Sequence, residues 1–242
     1  MLFAAVGIAA VAIAVALILV SVVGGGPSDN SPPAPSTAAK ATSTSAGMKV
    51  PGAAETLKLL RGIPQRLNRL GSPKATVTMI EFADLQCPFC REYTLNGLPA
   101  IVDEYVRPQK VKLVFSGMHF IGPDSEKALR AVYAAGLQNR LWQFLDLLYK
   151  NQGAENSGWV TDDLLRSVGD SIPGFDTDKM IADSSSVEVT NALAASDQQA
   201  QTARVNSTPT FFAGKTGGTL QHMNITALTP EAFRPTLDSL TK

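Results

Sequence analysis

The chain has 242 residues, 45% hydrophobic and 17% charged. Its 21 basic and 21 acidic side chains cancel, so no basic face is expected and a nucleic-acid binder driven by phosphate contacts does not fit. Two cysteines exclude a disulfide-dense secreted scaffold and any four-cysteine zinc or iron–sulfur centre.

From Leu2 to Val23 the run is apolar, broken only by Gly7 and Ser21. As a helix it is roughly 33 Å long, enough for a hydrocarbon core of about 30 Å. It exceeds the apolar region of a cleavable signal peptide, and no Lys or Arg precedes it. The reading is an uncleaved transmembrane anchor over 1–23, in preference to a signal peptide or a buried core helix. Residues 24–47, GGGPSDNSPPAPSTAAKATSTSAG, hold no Leu, Ile, Val, Met or aromatic residue and are expected to be a disordered linker. Its span as a flexible coil is roughly 25–30 Å. Neither flank of the anchor carries clustered Lys or Arg, so charge does not orient it.

Residues 48–242 are expected to form one domain. Val77 to Ala83 (VTMIEFA) is β-branched and aromatic and predicts a strand buried on both faces. Leu98, Ile101, Val102 and Tyr105 recur at helical spacing, with a kink or break predicted at Gly97 and Pro99. Lys110 to Met118 alternates and predicts a second strand. From Asp124 to about Arg204 the pattern is helical: around Ala128–Ala135, Leu141–Leu148, a segment capped by Thr161, and about Val187–Ala203. Strands are predicted at Thr210–Ala213 and, after a Gly217-Gly218 turn, at Leu220–Ile225. A terminal helix runs from Thr229-Pro230-Glu231 to Leu240, with Pro235 inside it.

Cys87-Pro88-Phe89-Cys90 carries the chemistry. A strand runs into it and a helix runs out. With Cys87 at the N-cap and Pro88 at the first helical position, the missing proline N–H costs nothing. The sulfur then faces free backbone N–H groups at the positive end of the helix, which favours thiolate. Three residues' separation suits a reversible disulfide. A structural disulfide is the competing reading, but so short a loop removes little unfolded-chain entropy. A zinc site would need His119 and His222, which are far from finger spacing; both read as ordinary histidines. Glu81 interrupts the apolar strand six residues before Cys87. Buried, its pKa would rise and it could exchange a proton with Cys90; on a half-exposed strand it would simply face solvent. Asp84 reads as a turn residue. Pro209 reads as a strand-entry proline.

Together, Glu81-Phe82, Cys87-Pro88-Phe89-Cys90, the helical block and Thr208-Pro209-Thr210-Phe211-Phe212 resemble the DsbA type of thioredoxin-fold thiol–disulfide oxidoreductase. Gly62-Ile63-Pro64 and Leu70-Gly71-Ser72-Pro73 are similar to the lead-in of its membrane-anchored bacterial members. The resemblance implies an α/β thioredoxin fold with a helical insertion at about 120–204, preceded by the transmembrane helix. It implies that Cys87 is the exposed nucleophile, Cys90 the buried resolving thiol and Glu81 the buried acid. Pro209 would be cis, with Thr208 pairing with bound peptide. Pro88 and Phe89 would lie on the substrate surface. Phe89 departs from the Pro-His pair of the family's strong oxidants and offers the sulfur no donor, so the helix terminus is expected to stabilise the thiolate largely alone.

A lasting dithiol site suits an oxidising compartment, which places the domain on the extracytoplasmic side of the cell membrane. The leading expectation is an oxidase that donates the Cys87–Cys90 disulfide to exported polypeptides. Its reoxidation is expected from a membrane partner of DsbB-like or VKOR-like type. No metal or organic cofactor is implied. The alternatives are a reductase or isomerase of the same fold, and a non-catalytic binding or chaperone module.

Overall fold

The computed structural model describes residues 49–242. The expected anchor over 1–23 and linker over 24–47 lie outside the described residues. Among the described residues, no helix is long and apolar enough to cross a membrane. In chain order the elements are α1 (Ala53–Leu59), β1 (Gln65–Arg66), β2 (Arg69–Leu70), β3 (Val77–Asp84), α2 (Pro88–Asn96) and α3 (Leu98–Ile101), which runs into a π-helical turn over Val102–Val106. Then come β4 (Val111–Met118), α4 (Pro123–Leu137), α5 (Leu141–Lys150), α6 (Asp162–Asp170), α7 (Thr177–Asp183), α8 (Val187–Ala203), β5 (Thr210–Lys215), β6 (Gln221–His222) and α9 (Pro230–Thr241).

The strands form one sheet in the order β1-β2-β4-β3-β5-β6. β3 lies inside it, parallel to β4 and antiparallel to β5. The β3–β4 crossover through α2 and α3 is long, as a parallel pair requires. Both faces of β3 are covered, so its run is nearly continuously apolar rather than alternating. In register, Glu81 stands opposite Phe115 on β4 and Phe211 on β5. Residues opposite one another in a sheet share a face, so these two rings lie beside the carboxyl. On the other face, Ile80, Phe82 and Ala200 make a smaller cluster under α8.

The parallel register brings the carboxyl ends of β3 and β4 to one edge of the sheet, with Asp84 paired to Met118. β5 runs the other way, so its amino end, just after Thr208-Pro209, reaches the same edge. Three chain segments far apart in sequence therefore meet where Cys87 leaves β3.

Four helices of the insertion, α4, α5, α6 and α8, fall where local signals predicted helix. Thr161 caps α6 through Leu164 N, and Ser186 caps α8 through Val189 N. α2 ends at the break expected near Gly97. A side chain at Gly97 would meet the Tyr93 ring at 2.8 Å and the Leu228 carbonyl at 2.9 Å. α9 runs unbroken through Pro235, within a residue of its expected end. Three elements differ from expectation. The strand at Leu220–Ile225 shrinks to Gln221–His222. α7 and α1 had no separate expectation. α1 is short and is held by tertiary contacts: Thr56 hydrogen-bonds the buried Asp146, and Lys150 Nζ reaches Thr56 Oγ1 at 2.8 Å and Asp146 Oδ2 at 2.6 Å.

Candidate active site

Cys87 sits at the N-cap of α2, with φ −67° and ψ 119°, and Pro88 occupies the first turn. Its amide donates to the Asp84 carbonyl at 3.0 Å, closing the turn out of β3. The extended N-cap conformation aims the sulfur at the first-turn N–H groups, which have no partner within the helix. Cys87 Sγ lies 3.3 Å from the Thr208 carbonyl oxygen, and Thr208-Pro209 is a cis peptide. Pro88 and Phe89 point outward, and Phe89 is 60% exposed. Cys87 is only 5% exposed, so the expectation of an exposed nucleophile is corrected: the turn out of β3 and the Thr208-Pro209 loop cover most of it, while Cys90, one turn on, is fully buried. Both cysteines are free thiols, so this is the reduced form.

The two sulfurs titrate in opposite directions. Cys87 is drawn down to about 6, first by a hydrogen bond from the Cys90 thiol. Partial burial opposes this, while the Thr208 side chain and the backbone N–H groups of Cys90 and Phe89 assist. The Thr208 carbonyl can accept only from the protonated thiol, so it favours the other state. The thiolate is therefore not held by the helix terminus alone, as the absence of a donor on Phe89 led us to expect. The buried partner thiol is the larger contributor. Cys90 is pushed well above its ordinary value by burial, and then by the nearby Cys87 and Glu81.

Glu81 is 4% exposed, so the reading of it as a solvent-facing residue falls. Burial raises its pKa to about 8, with the Cys87 charge adding to the effect. Its Oε1 has no protein hydrogen-bond partner. Asp84 is structural, as read from the sequence. Its carboxylate accepts from Ser125 Oγ at 2.6 Å, Gln86 N at 2.9 Å and Ile121 N at 3.3 Å. His119 faces Asp197 at 3.3 Å, and the His222 ring packs edge-on against Phe212.

The helical insertion contributes residues that local sequence reasoning missed. Tyr149 OH donates to the Asp84 carbonyl at 3.1 Å. Gln152 Nε2 donates to the carbonyls of Leu85 at 2.7 Å and Cys87 at 3.2 Å. Asn156 N donates to Gln86 Oε1 at 2.6 Å. The Tyr149 and Gln152 side chains and the Asn156 amide clamp the Asp84–Cys87 turn from more than 60 positions away, and no spacing pattern announces such a contact. Phe120 is also at this edge, in the loop after β4, and is 54% exposed. Gln152→Ala removes two hydrogen bonds to turn carbonyls. We expect a loss of about 1–2 kcal/mol in denaturant-unfolding stability and a changed alkylation rate at Cys87.

A dithiol at a strand–helix junction, facing a cis-proline loop over a buried acid, defines a thioredoxin-fold thiol–disulfide oxidoreductase. The chain belongs to the thioredoxin family: the family model described as thioredoxin matches residues 66–239. The probable disulfide bond formation protein D of Bacillus cereus is 33% identical over 146 residues, 59% of this chain and 68% of that protein. The crystal structure of oxidised BdbD from Bacillus subtilis superposes with a TM-score of 0.63 at 20% identity, over 74% of this chain and 97% of that one. A thioredoxin-like oxidoreductase from Silicibacter pomeroyi gives a TM-score of 0.55 at 27% identity, over 76% of this chain and 95% of that one. The protein is thus a thiol–disulfide oxidoreductase of the thioredoxin family.

Proposed function

We propose that this oxidoreductase is a disulfide oxidase working outside the cytoplasmic membrane, tethered through residues 2–23 and 24–47. The observation that carries the reading is the sulfur pair itself: Cys87 lowered to about 6 beside a Cys90 pushed far up. A site that stabilises its own thiolate stabilises its reduced form, which makes the disulfide oxidising; a value near 6 lies between about 7 for thioredoxin and about 3.5 for DsbA, which fits a mild oxidant.

A substrate thiolate attacks Cys87 Sγ of the oxidised pair. The Cys87–Cys90 bond breaks, and the electron pair leaves on Cys90, which takes a proton from Glu81. A second substrate thiolate attacks the substrate sulfur of the mixed disulfide, and Cys87 departs as thiolate. The substrate loses two electrons and gains a disulfide; the Cys pair holds those electrons. Thr208, preceding the cis Pro209, offers backbone groups to an extended substrate segment. Pro88 and Phe89 border that segment. The redox group is the Cys87–Cys90 disulfide, with no further cofactor. Reoxidation requires an electron acceptor in the membrane, of DsbB-like or VKOR-like type. The substrates are reduced exported polypeptides.

The test is the reduction potential, equilibrated against glutathione buffers. A value near or above about −180 mV supports the oxidase. A value near about −270 mV, as for thioredoxin, rejects it in favour of an extracytoplasmic reductase.

A further inference from the structure

Behind Cys90, the core contains two buried oxygens that find no protein partner: Glu81 Oε1 and Tyr93 OH. Tyr93 is fully buried on α2, three residues after Cys90 and so on the same side of the helix. Its ring centroid is 4.7 Å from that of Phe211, which stands opposite Glu81 in the β3–β5 register. Phe233 of α9 closes the compartment, 5.3 Å from Tyr93 and 4.9 Å from Phe211.

A phenylalanine would fill this aromatic cluster equally well. A buried hydroxyl without a partner costs about 1–3 kcal/mol relative to its apolar counterpart, so packing alone does not account for the oxygen. The surrounding elements leave few polar groups for it. Phe115 from β4, Phe211 from β5 and Phe233 from α9 bring no charge. The titratable groups facing Glu81 are Cys87 and Cys90 on α2, Tyr149 on α5, and Tyr93. Of the two phenols, Tyr149 is already committed to the Asp84 carbonyl.

We propose that Tyr93 is a positioning residue for proton transfer at Cys90: its hydroxyl donates through one bridging water to the Glu81 carboxylate and orients that acid toward the buried thiol. The inference rests on the proton role of Glu81 proposed above. One proton passes between Cys90 Sγ and Glu81, and Tyr93 keeps its own. The field of Glu81 reaches the phenol and, with burial, raises its pKa, as the arrangement requires.

A hydrogen bond from the phenol stabilises the ionised carboxylate more than the protonated acid, so losing it favours the protonated acid. The test uses the reduced full-length protein with its glutamate carboxyl carbons labelled with 13C. Glu81→Gln identifies the Glu81 resonance. In Tyr93→Phe we expect the Glu81 midpoint to move up by about one pH unit, roughly tenfold in proton affinity. The pH profile of exchange with glutathione disulfide should move with it, while thermal stability is retained. A midpoint that stays in place or falls overturns the proposal. If Glu81→Gln shifts the exchange profile but Tyr93→Phe does not, the Tyr93 inference alone fails. If Glu81→Gln leaves the profile unaltered, the proton role of Glu81 fails and the inference falls with it.

Discussion

Cys87→Ser is expected to reduce disulfide exchange with a reduced polypeptide to the uncatalysed rate, a loss on the order of a thousandfold or more. With its pKa near 6, Cys87 is roughly nine-tenths thiolate at pH 7, against a few per cent for an ordinary thiol near 8.5. A serine hydroxyl ionises far above this range and cannot form the mixed disulfide. Cys90 cannot substitute for it, being fully buried and pushed well above its ordinary pKa. Cys90→Ser is the informative partner variant. It keeps the Cys87 sulfur but removes the internal thiol, so attack of the Cys87 thiolate on a substrate disulfide, with one substrate sulfur leaving as thiolate, should give mixed disulfides that no Cys90 resolves, visible as bands that vanish on reduction. It also removes the hydrogen bond that contributes most to the low Cys87 value. The thiolate absorbance of that variant, followed against pH, should titrate above the wild-type midpoint. A Cys87→Ser variant that retains full exchange activity would return the Cys pair to the reading of an inert disulfide.

Glu81→Gln is expected to act on rate and stability in opposite directions. Steps in which Cys90 gains or loses its proton should slow by about a hundredfold, the lower end of general acid–base contributions. Stability should rise. Folding lifts the Glu81 pKa from 4.5 to about 8, so the native state holds a proton that the unfolded chain has released. The wild-type protein therefore loses stability as pH climbs from about 4.5 to about 8. At about 1.4 kcal/mol per pKa unit, the deficit is roughly 3 kcal/mol at pH 7 and roughly 4 kcal/mol at pH 8. Glutamine carries no charge and nearly the same shape, so the variant should regain most of it near pH 8 and almost none below pH 4.5. Cys87 runs the other way. Its lowered pKa stabilises the reduced fold fully above about 8.5, and that contribution fades as pH falls through about 6. Denaturant midpoints of wild type and Glu81→Gln, measured from pH 4 to pH 9, separate the two, because only the difference belongs to Glu81. Oxidation removes the Cys87 charge, so Glu81 should titrate lower in the disulfide form. A stability difference that is flat across pH would show that the carboxyl is not buried as the structure has it.

The sequence by itself determined the parts of this protein that depend on local chemistry. Cys87-Pro88-Phe89-Cys90 between a β-branched run and a helical stretch sufficed for the N-cap position of the first sulfur. The Thr161 cap is satisfied by a residue three positions on, so the start of α6 was legible without knowing the fold, whereas α7, capped just as locally by Asp176, went unread. The break near Gly97 and the two long strands were legible for the same reason.

What only the tertiary structure decided involves partners distant in the chain. Whether Glu81 faces solvent or core depended on which strands flank β3, and β5 comes from the far end of the domain. The contact between Cys87 and Thr208 spans 121 residues, and the clamp of Tyr149, Gln152 and Asn156 on the active-site turn spans 65 to 70. α1 forms a helix that its own seven residues would not sustain in isolation, and it is held by Asp146 and Lys150 on α5. Local sequence reports the free energy of nearby torsions, caps and side-chain periodicity. Burial, partner identity and the pKa values that follow from them arise only when the chain closes on itself, because desolvation and charge–charge energies depend on distance in space and not along the sequence.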